Sequence, residues 1–220
     1  RFSPSVSISY KPFAQHNFRI RASYQDIFRN PTFNDLYYDR VGNAALNPEI
    51  ARQMNVGITW RKGFEKVVDE VSLQADFFHN KVKDKIVGLP TLFVWRMLNM
   101  GEVDITGADV NFGTTVWLGN NYRVQMQGNW SWQKAIDVSN PQSKNYRHQI
   151  PYTPEHSGNL QLSLLAPWGT LGYIVQGVGE RFSLPQNVQG NLLEAYVEHS
   201  LSFGKSFRAG KAGVQLQLEC

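Results

Sequence analysis

Apolar and polar residues alternate with a period of two along most of this chain, the spacing of β-strands that carry one oily and one wet face. The first such segment sets Phe2, Val6, Ile8 and Tyr10 against Ser3, Ser5, Ser7 and Ser9, and the second sets Phe18, Ile20, Ala22 and Tyr24 against Arg19, Arg21 and Ser23. The contrast returns at Val71, Leu73, Ala75 and Phe77 against Ser72, Gln74 and Asp76, and again at Ala108, Val110, Phe112 and Val116 against Asp109, Asn111 and Thr115. It continues through Tyr122, Val124, Met126, Trp130 and Trp132, through Leu160, Leu162 and Leu164, and through Val214, Leu216 and Leu218. Less regular strands are expected near Met54 to Trp60, Leu171 to Val178 and Leu193 to Phe203. Helical spacing is nowhere sustained, so the pattern predicts an all-β, antiparallel protein of about ten strands.

The connections alternate in length. Short turns are expected near Pro12 to Asn17, Arg61 to Lys66, Gly119 to Asn121, Ala166 to Gly169 and Gly204 to Gly213. Long loops are expected over Ile27 to Ile50, Lys83 to Glu102, Val138 to Glu155 and Glu180 to Leu192. That rhythm, short at one end and long at the other, belongs to transmembrane β-barrels of the bacterial outer membrane. A strand tilted across hydrocarbon needs about nine to eleven residues, against about five or six in soluble sheets. Tyr122, Trp130 and Trp132 are placed at strand ends, where interfacial aromatic girdles sit. The competing reading makes these aromatics the core of a soluble sandwich.

Composition narrows the field. With 220 residues and 42% hydrophobic content, the chain has the apolar surface to fold. No uninterrupted apolar run is long enough for a membrane helix, since the cluster at Leu89 to Leu98 is broken by Pro90, Thr91 and Arg96. A mean hydropathy of -0.37 leaves a barrel open, because lumen-facing residues dilute lipid-facing ones. The net charge of +4 is scattered with no polybasic run, which removes nucleic acid as a partner, and a lone Cys220 excludes an internal disulfide framework.

The long loop after the second strand reads Phe28-Arg29-Asn30-Pro31-Thr32-Phe33-Asn34-Asp35-Leu36-Tyr37-Tyr38, then Gly42-Asn43, then Leu46-Asn47-Pro48-Glu49. This order resembles the F-R-x-P-T-x-x-(D/E)-L-(Y/F), G-N-x-x-L-x-P-E pattern of TonB-dependent outer-membrane receptors of the vitamin B12, haem and siderophore type. Phe77 to Ile86, Asn99 to Asp109 and Ile150 to His156 resemble further segments of that family in the same order, so the likeness covers nearly the whole chain. The resemblance implies part of a larger, twenty-two-strand barrel, residues 1 to 220 forming one partial barrel domain from which the plug domain and the terminal strands are missing. It implies a protein that is not an enzyme and carries no cofactor. It further implies an outer-membrane location in a Gram-negative bacterium, neighbouring lipid and lipopolysaccharide, coupling to TonB through the absent plug, and a chelate or macrocycle as ligand.

Two roles stand open for the motif residues Phe28, Arg29, Pro31, Thr32, Asp35, Leu36, Gly42, Asn43, Leu46, Pro48 and Glu49. The structural role has physical reasons: Pro31 and Pro48 fix φ and lack donors, Gly42-Asn43 offers a tight turn, and Asp35 and Glu49 can accept backbone N–H bonds. The other role is direct ligand contact. Candidates for ligand contact elsewhere are Trp95, Arg96, Arg147, His148, Tyr152 and Arg181, since aromatics and arginines suit a bulky anionic chelate. The five histidines show no metal-ligand spacing, no hydrolase motif occurs, and Gly177-Val178-Gly179 is followed by no helix that would make it a phosphate loop. Rival readings are a passive porin or barrel enzyme, and a soluble all-β ligand-binding module.

Overall fold

A computed structural model describes residues 2–64, 67–90, 94–119, 121–209 and 212–220. Ten strands form one sheet: β1 (Ser5–Tyr10), β2 (Asn17–Arg29), β3 (Glu49–Gly63), β4 (Val68–Pro90), β5 (Trp95–Trp117), β6 (Arg123–Asp137), β7 (His156–Ala166), β8 (Gly169–Val178), β11 (Tyr196–Ala209) and β12 (Ala212–Glu219). Each pairs antiparallel with its neighbour in that order, leaving β1 and β12 as the two edges. Inside the last long loop, β9 (Arg181–Phe182) and β10 (Leu192–Leu193) make a separate small ribbon. The loop after β2 holds a one-turn helix, α1 (Phe33–Tyr37).

Register turns the alternation within each strand into two continuous faces, because residues directly opposite one another in antiparallel strands share a side. One row runs Ile8, Ala22, Val56, Phe77, Ala108 and Trp132 from β1 to β6. Its counterpart on the reverse side runs Thr59, Gln74, Asn111, Asn129, Asn159 and Gln176 from β3 to β8. The apolar face is uncovered: Ile8 is 66% exposed, Val56 55%, Phe77 52% and Leu201 55%. A sandwich would bury these side chains against a second sheet, so the soluble-sandwich reading loses its core.

The buried side chains gather instead at the long-loop end of the polar face. Ala51, Val82, Val103, Ala135 and Ile150 pack together, with Met100 and Ile105 against them. Ile150 comes from the loop between β6 and β7, which folds over the sheet and ties its backbone N–H to the Ala135 carbonyl at 3.0 Å. Along β3, β4 and β5 the polar face therefore turns apolar where a loop covers it.

Gly57 illustrates how tightly the polar face is fitted. Arg21 on β2 and Asp76 on β4 meet at 2.8 Å across it, and a Cβ on Gly57 would lie 1.9 Å from the Asp76 Oδ1. Only glycine leaves that path open.

Three expectations are corrected. The segment Lys83 to Glu102 is not a long loop; β4 and β5 stay paired from Lys83 with Glu102 out to Pro90 with Trp95. Strands of 23 residues result, far beyond the nine to eleven that a membrane crossing needs. The charges suggested a loop, yet Ile86, Val87 and Leu89 favour strand and pairing satisfies the backbone. Within the expected turn Gly204 to Gly213, Gly204 to Ala209 are likewise strand and pair with Gln217 to Ala212. Trp130 and Trp132 lie inside β6 rather than at its end, because β6 runs on to Asp137. Of the expected connections, residues 65–66, 91–93, 120 and 210–211 lie outside the described residues.

Candidate functional site

Strand direction sends the connections 30–48, 138–155 and 179–195 to one end of the sheet, where the β4–β5 pairing ends at Pro90 and Trp95. The motif loop 30–48 is held there by its own polar groups. Thr32 caps α1, its hydroxyl accepting from the Asp35 N–H at 3.2 Å while Asp35 accepts the Thr32 N–H at 2.9 Å. Arg29 pairs with Asp35 at 3.1 Å and with Glu49 at 3.4 Å, so the residues on both sides of the loop share one guanidinium. The Thr32 N–H bond, with the Thr32 hydroxyl and Arg29 beside it, holds the Asp35 carboxyl below its ordinary value of 3.8.

The same loop is stitched to the β4–β5 hairpin. Glu49 accepts the Ile86 N–H at 3.2 Å, Asn43 donates to the Met97 carbonyl at 3.1 Å, and the Asn47 N–H donates to the Asn99 side chain at 2.8 Å. Asn99 in turn donates to the Asp84 carbonyl at 2.7 Å. Gly42 does not itself form the expected tight turn; positive φ falls on Arg40. A Cβ at Gly42 would stand 2.7 Å from the Leu36 carbonyl group, so the glycine permits close backbone approach to α1. Leu46 is buried beneath. Pro31 and Pro48 flank the ladder ends at Arg29 and Glu49.

The candidate contact residues separate into three kinds. Trp95, on the polar face of β5, and Tyr152 bring their rings to 5.5 Å and stay half exposed. His148 and Arg181 are engaged in holding loops: the His148 Nδ1 bonds the Pro185 carbonyl at 3.1 Å, and Arg181 lies over the Tyr196 ring at 5.3 Å. Arg96 takes a register position on the apolar side, opposite Leu89, away from the Trp95 pair, while Arg147 is exposed.

Sequence reasoning missed two features. Gln149 and Asn187 exchange hydrogen bonds at 2.6 and 3.0 Å, clipping loop 138–155 to loop 179–195, with the Tyr152 N–H bonded to the Phe182 carbonyl at 2.7 Å. Nothing in the local sequence announces a partner so distant. Phe33 and Tyr37, four residues apart on α1, bring their rings to 5.1 Å at a 50° tilt and are 75% and 60% exposed; the helix was not expected. Among the described residues no group of three or more His, Cys, Asp or Glu converges as metal ligands.

An open antiparallel sheet with an uncovered apolar face, a polar reverse side and elaborate loops at one end has the form of a wall segment of a transmembrane β-barrel. Residues 1–219 match the family described as "TonB dependent receptor-like, beta-barrel", and the chain belongs to that family. Over 85 residues it is 32% identical to the vitamin B12 transporter BtuB of Vibrio vulnificus, a stretch that covers 38% of this chain and 13% of that transporter. Among solved structures it is similar to the copper transporter OprC, with a TM-score of 0.70 and 14% identity over 99% of this chain and 32% of that one. It is also similar to the siderophore receptor PiuA from Acinetobacter baumannii, with a TM-score of 0.68 and 18% identity over 98% of this chain and 30% of that one. These likenesses are of fold, and the chain spans about a third of the structures it matches.

Proposed function

We propose that this chain is about ten strands of the wall of a twenty-two-strand outer-membrane receptor that takes up a scarce nutrient in a Gram-negative bacterium. The observation that carries the reading is the uncovered apolar face, unbroken in register across the sheet and matched by a polar reverse side. Only a closed barrel lets such a sheet satisfy its backbone in lipid. The apolar side then faces hydrocarbon and the polar side the lumen, with the loop-rich end outside the cell.

The function lies in uptake rather than catalysis. The named relatives are a vitamin B12 transporter, a copper transporter and a siderophore receptor, and they support a chelate or macrocycle as the ligand here. Energy enters through TonB and a plug domain outside residues 1–220. The motif residues Arg29, Thr32, Asp35, Gly42, Asn43 and Glu49 act as a clip for the loops, and the Trp95–Tyr152 pair, lumen-facing and half exposed, offers the ligand a flat apolar contact.

The test is uptake by cells carrying or lacking the intact protein, with labelled cobalamin, a ferric siderophore, haem and a copper chelate supplied in turn. One of them accumulates only in cells with the protein, and a protonophore abolishes that accumulation. Uptake that persists undiminished with the protonophore identifies a passive pore instead.

A further inference from the structure

Tyr152 stands in a backbone conformation that its own side chain does not favour. Its φ is 57°, in the left-handed region that a bulky residue adopts only when its surroundings enforce it. It lies between Pro151 and Pro154, whose rings fix φ, so within that stretch Tyr152 and Thr153 set the course of the turn. Ile150, just before, is anchored in the loop-covered core, 4% exposed and with its N–H on the Ala135 carbonyl at 3.0 Å. That anchor fixes where the turn begins and leaves the direction of the Tyr152 ring open.

The direction comes from loop 179–195. This loop is cross-braced: β9 pairs with β10, and the Ser183 N–H and hydroxyl donate to the Asn191 carbonyl at 2.8 and 3.1 Å. From it three groups reach the segment around Tyr152. The Phe182 carbonyl accepts the Tyr152 N–H at 2.7 Å, and the Pro185 carbonyl accepts from His148 Nδ1 at 3.1 Å. The Asn187 amide takes both backbone groups of Gln149, accepting the N–H at 2.6 Å and donating to the carbonyl at 3.0 Å. Phe182 and Pro185 act through backbone carbonyls, which any residue supplies. Asn187 acts through its side chain, which must carry a donor and an acceptor together. Its own φ is 45°, a region that asparagine enters more readily than most residues.

We infer that Asn187 is a positioning residue for the ligand contact: by holding Gln149 it presents the Tyr152 ring to Trp95, and without it the two rings part. The inference rests on the reading of Trp95 and Tyr152 as a ligand contact. It adds the residue that sets their arrangement, 5.5 Å between centroids at an inclination of 37°. Asn187 acts through Tyr152 and not on the ligand itself, so its loss weakens capture and leaves the later transport step alone.

The intact protein is labelled with fluorotryptophan in detergent micelles, and Trp95 is identified as the fluorine resonance that Trp95→Phe removes. Tyr152→Leu marks where that resonance lies once the neighbouring ring is gone. Asn187→Gly keeps the left-handed backbone accessible and removes both bonds to Gln149, and it moves the Trp95 resonance to the Tyr152→Leu position. Asn187→Asp retains the acceptor and gives a position between the two. Val188→Ala, beside it and 52% exposed, leaves the resonance unchanged. Binding is then titrated with cyanocobalamin, ferric enterobactin, haemin and a copper(II) histidine chelate. For the probe that binds, Kd rises about fivefold in Asn187→Gly and no further when Tyr152→Leu is added, while the maximal uptake rate is unchanged. Heat-modifiable electrophoretic mobility confirms that each variant is folded.

A Trp95 resonance that stays at its wild-type position in Asn187→Gly, an equal displacement in Val188→Ala, or losses of affinity that add in the double variant overturns the inference. Failure of all four probes to bind the wild type would instead defeat the ligand-contact reading beneath it, and the fluorine signal would still decide whether Asn187 places the ring.

Discussion

The two ends of the sheet are built on different principles. At the short-turn end the strands are joined by brief connections such as the one between Ala166 and Gly169, and the buried cluster does not reach them. At the long-loop end five buried side chains pack together, among them Val103 and Ala135 at 1% exposure each; the loop after β2 is tied to β5, and loop 138–155 is clipped to loop 179–195. The short-turn end draws its order from ladder hydrogen bonds and its surroundings. The long-loop end has to hold its shape in water, so it builds a small core of its own.

That contrast predicts unequal responses to mutation in the intact protein. The largest effect belongs to Val103→Asp, which places an unpaired charge inside the loop-covered core and costs about 3–5 kcal/mol. Urea unfolding in detergent micelles reads this as a fall in midpoint; a shift no larger than that of a surface change would erase the distinction between the ends. Next comes Gly57→Val, which drives a side chain into Asp76 and breaks its bond to Arg21, at about 1–3 kcal/mol. Gly213→Ala at the short-turn end, where a Cβ meets nothing within 4 Å, stays within about 0.5 kcal/mol in the same assay.

A smaller effect isolates the motif loop. Thr32→Ala removes the cap of α1 and costs about 1 kcal/mol locally, seen as faster amide exchange over residues 33–38. Asp35 adds a dependence on pH. Its carboxyl is held below 3.8, so it stabilises the loop above that value and loses the contribution as pH falls through its lowered folded value. Exchange in the loop should accelerate on acidification below about 4 in the wild type and show no such step in Asp35→Asn. The smallest effect is the coupling of Trp95 and Tyr152, about 0.5–1 kcal/mol in a double-mutant cycle, whose absence would mean that the rings meet without mutual support.

The short-turn end was largely legible in the sequence. Two-residue alternation at Phe18 to Tyr24 or Leu160 to Leu164 reports a half-buried or lipid-facing strand directly, because one face sees one environment along its whole length. The long-loop end was less legible for the same physical reason. Val82, Val103 and Ala135 sit on the polar side in register yet are apolar, since a loop folds over them, and the charged outward positions Lys81, Lys83 and Lys85 made the β4–β5 hairpin resemble a loop. The motif residues were recognisable as an ordered string, and their hydrogen-bonding partners Ile86, Met97 and Asn99 were not, because those contacts join residues 37, 54 and 52 positions apart. The Gln149–Asn187 clip is invisible for the same cause.

The central claim is that one side of the sheet faces hydrocarbon and the other the lumen. Spin labels placed singly on β3 of the intact protein, in a Cys220→Ser background in native outer membranes, test it directly through collision with oxygen and with a water-soluble nickel complex. Labels at Met54, Val56 and Ile58 should be accessible to oxygen and shielded from nickel, and labels at Gln53, Asn55 and Thr59 should show the reverse. Uniform accessibility along the six positions, or the opposite phase, would contradict the account.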